Sequence, residues 1–101
     1  QGLVADGAKF ALYEVVRACF LLPESPLYGA RPVLFVHDEI ICESPDARAP
    51  AGAEELKRIM EESMKLFIPD LPITADPWCS MRWRKGLDPV RDERGELIVQ
   101  M

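Results

Sequence analysis

The chain has 101 residues, 49% hydrophobic and 29% charged, which suits one domain with a modest core and leaves no room for two. Its net charge of −5, from 12 basic and 17 acidic residues, disfavours a free-standing nucleic-acid binder, which normally carries a basic face. No apolar run approaches the roughly 20 residues that a transmembrane helix requires, so we expect no membrane partner.

The first half of the chain predicts a helix followed by a β-hairpin. Apolar residues recur in steps of three and four over residues 4–22, which is typical of an amphipathic helix, and Pro23 with Pro26 ends it. Residues 24–32 are rich in Pro, Gly and Ser and predict a loop. Residues 33–36 and 40–42 are short β-favouring runs, which predict a hairpin whose turn is centred on His37-Asp38. Because no glycine supplies the turn, the turn is mildly costly, and this hints at functional side chains.

The second half predicts a linker, a helix and short strands. Residues 45–52 read as an Ala/Pro-rich linker, and residues 54–68 as a helix whose solvated face pairs Glu54 with Arg58 and Glu61 with Lys65. Residues 72–76 predict a third strand, and residues 90–99 a small hairpin that turns at Arg94-Gly95. The basic run with two Trp at residues 78–85 is interpreted as a packing anchor rather than a nucleic-acid contact.

The three cysteines, Cys19, Cys42 and Cys79, are widely spaced and form no Cys-x-x-Cys pair. This pattern disfavours a disulfide framework or a structural zinc and favours reduced thiols in the cytoplasm. The chain starts at Gln1 with neither an initiator Met nor a signal peptide, so we expect it to be internal to something longer.

His37 is the sole histidine, so no internal site can use two imidazoles. The chain also lacks a Gly-rich phosphate loop and the other common local catalytic motifs. Carboxylates remain as metal ligands, and oxygen ligands suit Mg²⁺ or Mn²⁺ far better than zinc. The His37-Asp38-Glu39 turn is therefore the candidate site.

Two ordered motifs carry a family resemblance. Residues 1–9 read Gln-Gly-Leu-Val-Ala-Asp-Gly-Ala-Lys at the start of the first helix, and residues 36–40 read Val-His-Asp-Glu-Ile in the hairpin. This order resembles the C-terminal palm of family A DNA polymerases of the polymerase I type, whose motif C reads Val-His-Asp-Glu between two strands. The resemblance covers roughly residues 1–77. It implies an α+β fold with the helix, β-hairpin, helix and strand of a palm subdomain. Residues 78–101 lie beyond the family pattern, and we expect them to form a short C-terminal extension.

The resemblance implies a DNA-directed DNA polymerase segment that works by two-metal catalysis. Transfer to a primer 3′ hydroxyl uses two divalent ions about 3.5 to 4 Å apart, held by carboxylates. Asp38 is expected to be a catalytic residue and metal ligand for Mg²⁺ or Mn²⁺, and Glu39 a weaker second catalytic carboxylate. The alternative for Glu39 is a solvated charge at a strand edge.

Gln1 and His37 are expected, by the same resemblance, to bind DNA near the primer end. Every Watson–Crick pair offers an acceptor in the minor groove, so donors there test pair geometry without reading sequence. The alternative for Gln1 is a frayed terminal residue. Lys9 and Arg17 could meet backbone phosphate, although ordinary surface solvation is the better account of each.

The chain departs from the family at Leu3-Val4 and Phe35, which points to a phage-like or divergent member. It contains neither the second carboxylate motif nor the fingers residues that clamp a deoxynucleoside triphosphate. We therefore expect it to be inactive alone and to need the remainder of the polymerase, as another chain or an upstream segment. We expect it in the cytoplasm, at the nucleoid or in a phage-infected cell. The alternatives are a non-catalytic palm-like binding or assembly module, and an unrelated α+β interaction domain.

Overall fold

The computed structural model describes residues 2–36, 39–70, 75–81 and 88–100. The elements in chain order are α1 (Gly2–Leu21), β1 (Arg31–Val36), β2 (Glu39–Glu43), a 3₁₀ helix (Asp46–Arg48), α2 (Ala49–Phe67), β3 (Cys79–Ser80) and β4 (Val99–Gln100). Strands β1 and β2 pair antiparallel, and β3 pairs with β4 in a separate parallel sheet. The predicted α+β class is confirmed.

Helix α1 buries the stripe that its sequence predicts. The buried positions follow the steps of three and four in the sequence: Ala8, Ala11, Val15, Ala18 and Cys19. The helix ends at Leu21 because a residue directly before a proline, here Leu22, disfavours helical backbone. The predicted bounds of residues 4–22 are therefore close to the observed ones.

One hydrophobic core, which we name the first core, joins both helices to the first sheet. Its buried members are Ala11, Val15, Ala18, Cys19, Leu27, Ala30, Ile40 and Ile59. The two helices approach closely at Gly7, where an added Cβ would lie 2.7 Å from the Met64 sulfur. The missing side chain of Gly7 thus permits this approach.

The segment between α1 and β1 is a tightly bonded loop rather than a loose connection. The Ser25 hydroxyl accepts a hydrogen bond from the Leu27 amide at 3.1 Å, and the Gly29 amide donates to the Cys19 carbonyl at 3.1 Å. Gly29 adopts φ +92°, which side chains rarely tolerate. These bonds turn Leu27 inward, so the predicted loop supplies a large residue of the first core.

The predicted linker at residues 45–52 is wrong for most of its length. Asp46–Arg48 form a 3₁₀ turn and α2 already begins at Ala49. Pro50 is compatible with this start because amides in the first helical turn have no partner within the helix. Gly52 lies inside α2 against Leu27, whose Cδ2 would be 3.5 Å from a Cβ at that glycine.

The predicted third strand is wrong at Ala75 and Asp76, which have no regular structure, while its other residues lie outside the described residues. The Ala75 amide donates to a Glu61 carboxylate oxygen instead of to a neighbouring strand. The small C-terminal hairpin is confirmed, because Arg91 pairs antiparallel with Leu97. Gly95, at its turn, has φ +84°.

A second core packs this C-terminal segment against α2. Cys79, Leu97 and Ala53 are its buried members, with Ala49 and Val99 packed beside them. Helix α2 thus contributes to both cores, through Ile59 to the first and Ala53 to the second. Within the described residues, neither helix combines the length and apolarity needed to cross a membrane.

Candidate functional site

The candidate site falls in the sequence between the end of β1 at Val36 and the start of β2 at Glu39. The register pairs Phe35 with Ile40 and, as the last pair, Val36 with Glu39. At the open end, both Nε and Nη2 of Arg31 donate to one carboxylate oxygen of Glu43, at 3.0 and 2.7 Å. Strands of five and six residues therefore frame the Val36-His37-Asp38-Glu39 sequence.

The predicted site residues differ in what the structure describes of them. Glu39 begins β2, and its backbone is part of the ladder. Gln1, His37 and Asp38 lie outside the described residues; Gln1 directly precedes the first residue of α1, and the other two fall between Val36 and Glu39 in the sequence. The assigned roles of all four residues thus stay predictions.

The face of β2 that meets α1 is apolar. Residues two apart on a strand share a face, so Ile40 and Cys42 point the same way. Ile40 is buried in the first core, and Cys42 packs against that core. The strand that begins at Glu39 is consequently seated on the long helix that Gln1 precedes.

A pair of thiols lies where β2 packs against α1. Cys19 of α1 is buried, Cys42 of β2 is half-buried, and Cys42 packs against the cluster to which Cys19 belongs. Burial raises the pKa of both thiols, and that of Cys42 reaches about 12 because the neighbouring Cys19 also opposes its ionisation. Both cysteines are therefore protonated at neutral pH.

The basic residues of α1 give no defined anion site. Lys9 is exposed, and the Arg17 guanidinium pairs with Glu14 at 3.2 Å. A partly exposed pair of this kind contributes little to stability. The ion pair with Glu14 therefore agrees with the interpretation of Arg17 as an ordinary surface residue.

The described side chains do not gather three possible metal ligands at any one place. Asp38 is not among the described residues, and the Glu39 side chain is not described either. The chemistry of the two neighbouring carboxylates nevertheless fits a hard divalent cation, since Mg²⁺ and Mn²⁺ prefer oxygen ligands.

A groove of about 270 Å³ separates the exposed edges of α1 and α2. Its walls combine apolar and charged side chains, namely Phe10, Glu14, Arg58, Ile59, Glu62, Ser63 and Leu66. The Arg58 guanidinium is already engaged by Glu55 and by Glu62, the latter at 2.8 Å. None of the hairpin residues that the structure describes lines this groove.

The solvated face of α2 holds the C-terminal segment. The predicted pairs Glu54–Arg58 and Glu61–Lys65 are wrong, because Glu54 binds Arg91 of the C-terminal hairpin and Glu61 binds Lys57 at 3.0 Å. Arg91 also donates to the Gly95 carbonyl at 2.8 Å, which braces the hairpin turn. Local helix spacing could not reveal partners supplied by a distant part of the chain.

Glu54 and Glu61 both hold later parts of the chain against α2, and the contacts of Glu61 are the better defined. Its carboxylate accepts the Ala75 amide at 2.8 Å and the Lys57 ammonium at 3.0 Å. The backbone hydrogen bond from Ala75, followed by Lys57, lowers the pKa of Glu61 below its ordinary value. The folded protein therefore stabilises the charged carboxylate.

Acidification is expected to weaken this anchor. A carboxylate with a lowered folded pKa contributes stability above its unfolded pKa, about 4.3 for Glu, and loses it as the pH falls through the folded value. Glu61→Gln should lower the free energy of unfolding at pH 7 by about 1 kcal/mol and flatten the acid limb of stability against pH. Urea titrations from pH 3 to 7 measure both effects, with the exposed Glu93→Gln as control. If the free energy of unfolding of Glu61→Gln fell with acid as it does in the parent chain, the hydrogen bond from Ala75 to Glu61 would not stabilise the fold.

The sequence did not reveal the contact between Cys19 and Cys42. Cys19 lies on the predicted buried stripe of α1, which was the available signal. The burial of Ile40 in the first core identifies the face of β2 on which Cys42 lies. Strand alternation alone leaves the buried face undetermined in so short a run.

Comparison with known proteins finds DNA polymerase I. The chain is 39% identical over 69 residues to the thermostable DNA polymerase I of Thermus aquaticus, and equally so to that of a Thermus thermophilus strain. It is 36% identical over 69 residues to DNA polymerase I of Deinococcus radiodurans. Each match covers 68% of this chain, but only 7 to 8% of the relative.

No protein-family model and no solved structure matches the chain. The relatives nevertheless agree with one another, and the matched length is the same in each. The resemblance to family A DNA polymerases of the polymerase I type is therefore confirmed, and over about two thirds of its length this chain is a relative of a short segment of those enzymes.

Proposed function

We propose that this chain is the C-terminal palm segment of a DNA-directed DNA polymerase, with Val36 to Glu39 as its motif C. The observation that carries the proposal is the identity of 36 to 39% to three DNA polymerases I. The framing of His37 and Asp38 by two antiparallel strands, after a long helix, supports it. The reaction would be template-directed nucleotidyl transfer to a primer 3′ hydroxyl.

Asp38 would hold the catalytic Mg²⁺ or Mn²⁺, and Glu39 would assist as a weaker carboxylate. Bound divalent ions would activate the attacking hydroxyl and neutralise the leaving group. The contribution of the chain itself would be to place the carboxylates at the end of a paired hairpin. The hairpin is seated on the first core through Ile40, which favours a fixed position for Glu39.

Gln1 and His37 would contact the minor groove of the new duplex near the primer end. Both side chains can donate a hydrogen bond to the acceptor that every correct base pair presents there. The expected DNA partner is a primer–template, and the expected nucleotide partner is a deoxynucleoside triphosphate.

The segment would be incomplete alone. Its matches cover less than a tenth of each relative, and the second carboxylate motif is absent from the sequence. The remainder of the polymerase, as another chain or an upstream segment, would supply that carboxylate and the basic DNA channel that a net charge of −5 does not. Residues 1–77 would form the palm segment and 78–101 an extension, in a cytoplasmic, phage-like or split enzyme.

A chimera tests this proposal. The matching segment of Thermus aquaticus DNA polymerase I is replaced by this chain, and primer extension is measured with Mg²⁺. We expect extension by the chimera and none by the isolated chain. In parallel, the reading frame upstream of Gln1 and any co-purifying chain are examined for the missing carboxylate motif.

Each outcome has a distinct meaning. Extension by the isolated chain would contradict its incompleteness. A folded chimera that binds primer–template without extending it would favour the alternative of a non-catalytic binding or assembly module. A chimera that neither binds nor extends would oppose the palm assignment, provided that circular dichroism shows it to be folded.

A further inference from the structure

Two of the three cysteines lie at the junction of α1 and the hairpin. Cys19 belongs to the buried stripe of α1, one helical turn after Val15. Cys42 shares its face of β2 with Ile40, which is buried among the same residues. Helix and strand thus present their thiols to the same part of the first core.

The two thiols are close to each other as well as on facing elements. Cys42 packs against the cluster that contains Cys19, and each side chain affects the pKa of the other. Cys79 has different surroundings, because it belongs to the second core and its sulfur donates to the Ala49 carbonyl at 3.4 Å. The chain therefore contains one matched thiol pair and one separate thiol.

We propose that Cys19 and Cys42 form a reversible disulfide that ties α1 to β2 when the protein meets a low-molecular-weight disulfide such as oxidised glutathione. The proposal does not depend on the polymerase assignment. It also departs from the expectation that the cysteines are reduced thiols.

The reaction is a two-step exchange. The Cys42 thiolate, on the more accessible residue, attacks one sulfur of the small disulfide, which forms a mixed disulfide and releases one small thiolate. The Cys19 thiolate then attacks the Cys42 sulfur and releases the second. The two small thiolates take up the two protons lost by the cysteines, so two protein thiols are oxidised and one small disulfide is reduced to two thiols.

The bond would act close to the candidate site. Cys42 follows Glu39 by three residues on the same strand, and Cys19 lies near the end of the helix that begins at Gly2. A covalent tie would fix the hairpin against α1. Because burial keeps both thiols protonated at neutral pH, the exchange is expected to take hours.

The test uses the full chain and oxidised glutathione. After incubation, intact mass should fall by about 2 Da, which is the loss of two hydrogens. Digestion should give a peptide that joins Cys19 to Cys42, and one thiol should remain reactive in denaturant. The melting temperature should rise by roughly 5 to 15 °C, because the crosslink restricts the unfolded chain, and dithiothreitol should reverse the rise.

Matched variants decide the partners. Cys79→Ser should lose the same 2 Da as the parent chain, whereas Cys42→Ser and Cys19→Ser should not. The proposal is overturned if three thiols stay free in the parent chain, if Cys79 is found in the bond, or if only glutathione adducts accumulate. Should the variants at residues 19 and 42 fail to fold, the parent chain and Cys79→Ser still give the decision.

Discussion

Primer extension by the chimera is expected to fall by about 1,000-fold or more when Asp38 is replaced by alanine. Loss of a carboxylate that holds a catalytic metal removes several kcal/mol of transition-state stabilisation, and about 1.4 kcal/mol corresponds to a factor of ten. Asp38→Asn should be nearly as damaging, because the amide keeps the shape but loses the charge. The measurement is single-turnover extension of a labelled primer with Mg²⁺.

Two controls make this result specific. Glu39→Gln should reduce the rate far less, since Glu39 is expected to assist rather than to hold the metal alone. Primer–template affinity, measured by fluorescence anisotropy, should change little in Asp38→Ala. If Asp38→Ala extended primers at the parental rate, Asp38 could not be the metal ligand and the motif C assignment would fail with it.

Leu27→Ala is expected to be the most destabilising single truncation in the described part of the chain. Leu27 is 2% exposed and heads the largest fully buried side chains. Replacing a buried leucine by alanine costs about 2 to 5 kcal/mol, because the cavity is only partly refilled. The free energy of unfolding of a domain of this size is roughly 5 to 15 kcal/mol, so Leu27→Ala would remove a large share of the stability.

Chemical denaturation of Leu27→Ala and Leu66→Ala side by side provides the measurement. Leu66 carries the same side chain on α2 but is 70% exposed, so its truncation should change the free energy of unfolding by less than about 0.5 kcal/mol. Similar losses in the two variants would mean that the 22–30 loop is not anchored through Leu27. Ser25→Ala should act in the same direction as Leu27→Ala, but more weakly, since it removes one hydrogen bond.

Periodic segments were predictable from the sequence and irregular ones were not. The stripe on α1 and the two strands of the hairpin follow from local spacing, and their observed bounds lie within a few residues of the expected ones. The start of α2 was missed because Ala-Pro-Ala-Gly resembles a linker, although proline is tolerated in a first turn. Leu27 was missed because a loop rich in Pro and Gly gives no sign of which residue turns inward.

The candidate site shows the same division. Sequence alone identified the His37-Asp38-Glu39 run and its place between two strands. It could not identify the thiol contact beneath the hairpin, nor the use of Glu54 and Glu61 to hold residues far along the chain. Such contacts depend on which element packs where, and a single sequence does not encode that in its local pattern.

Helix α2 has a consequence for how the whole chain melts. One stretch of it, around Ile59, belongs to the first core, while its first turns, around Ala53, belong to the second. Because both cores pack against α2, unfolding of this helix removes packing contacts from both. Loss of packing in one core is therefore transmitted to the other. We therefore expect the two clusters to unfold as one cooperative unit, so that a truncation in either lowers the midpoint of a single transition and adds no second step.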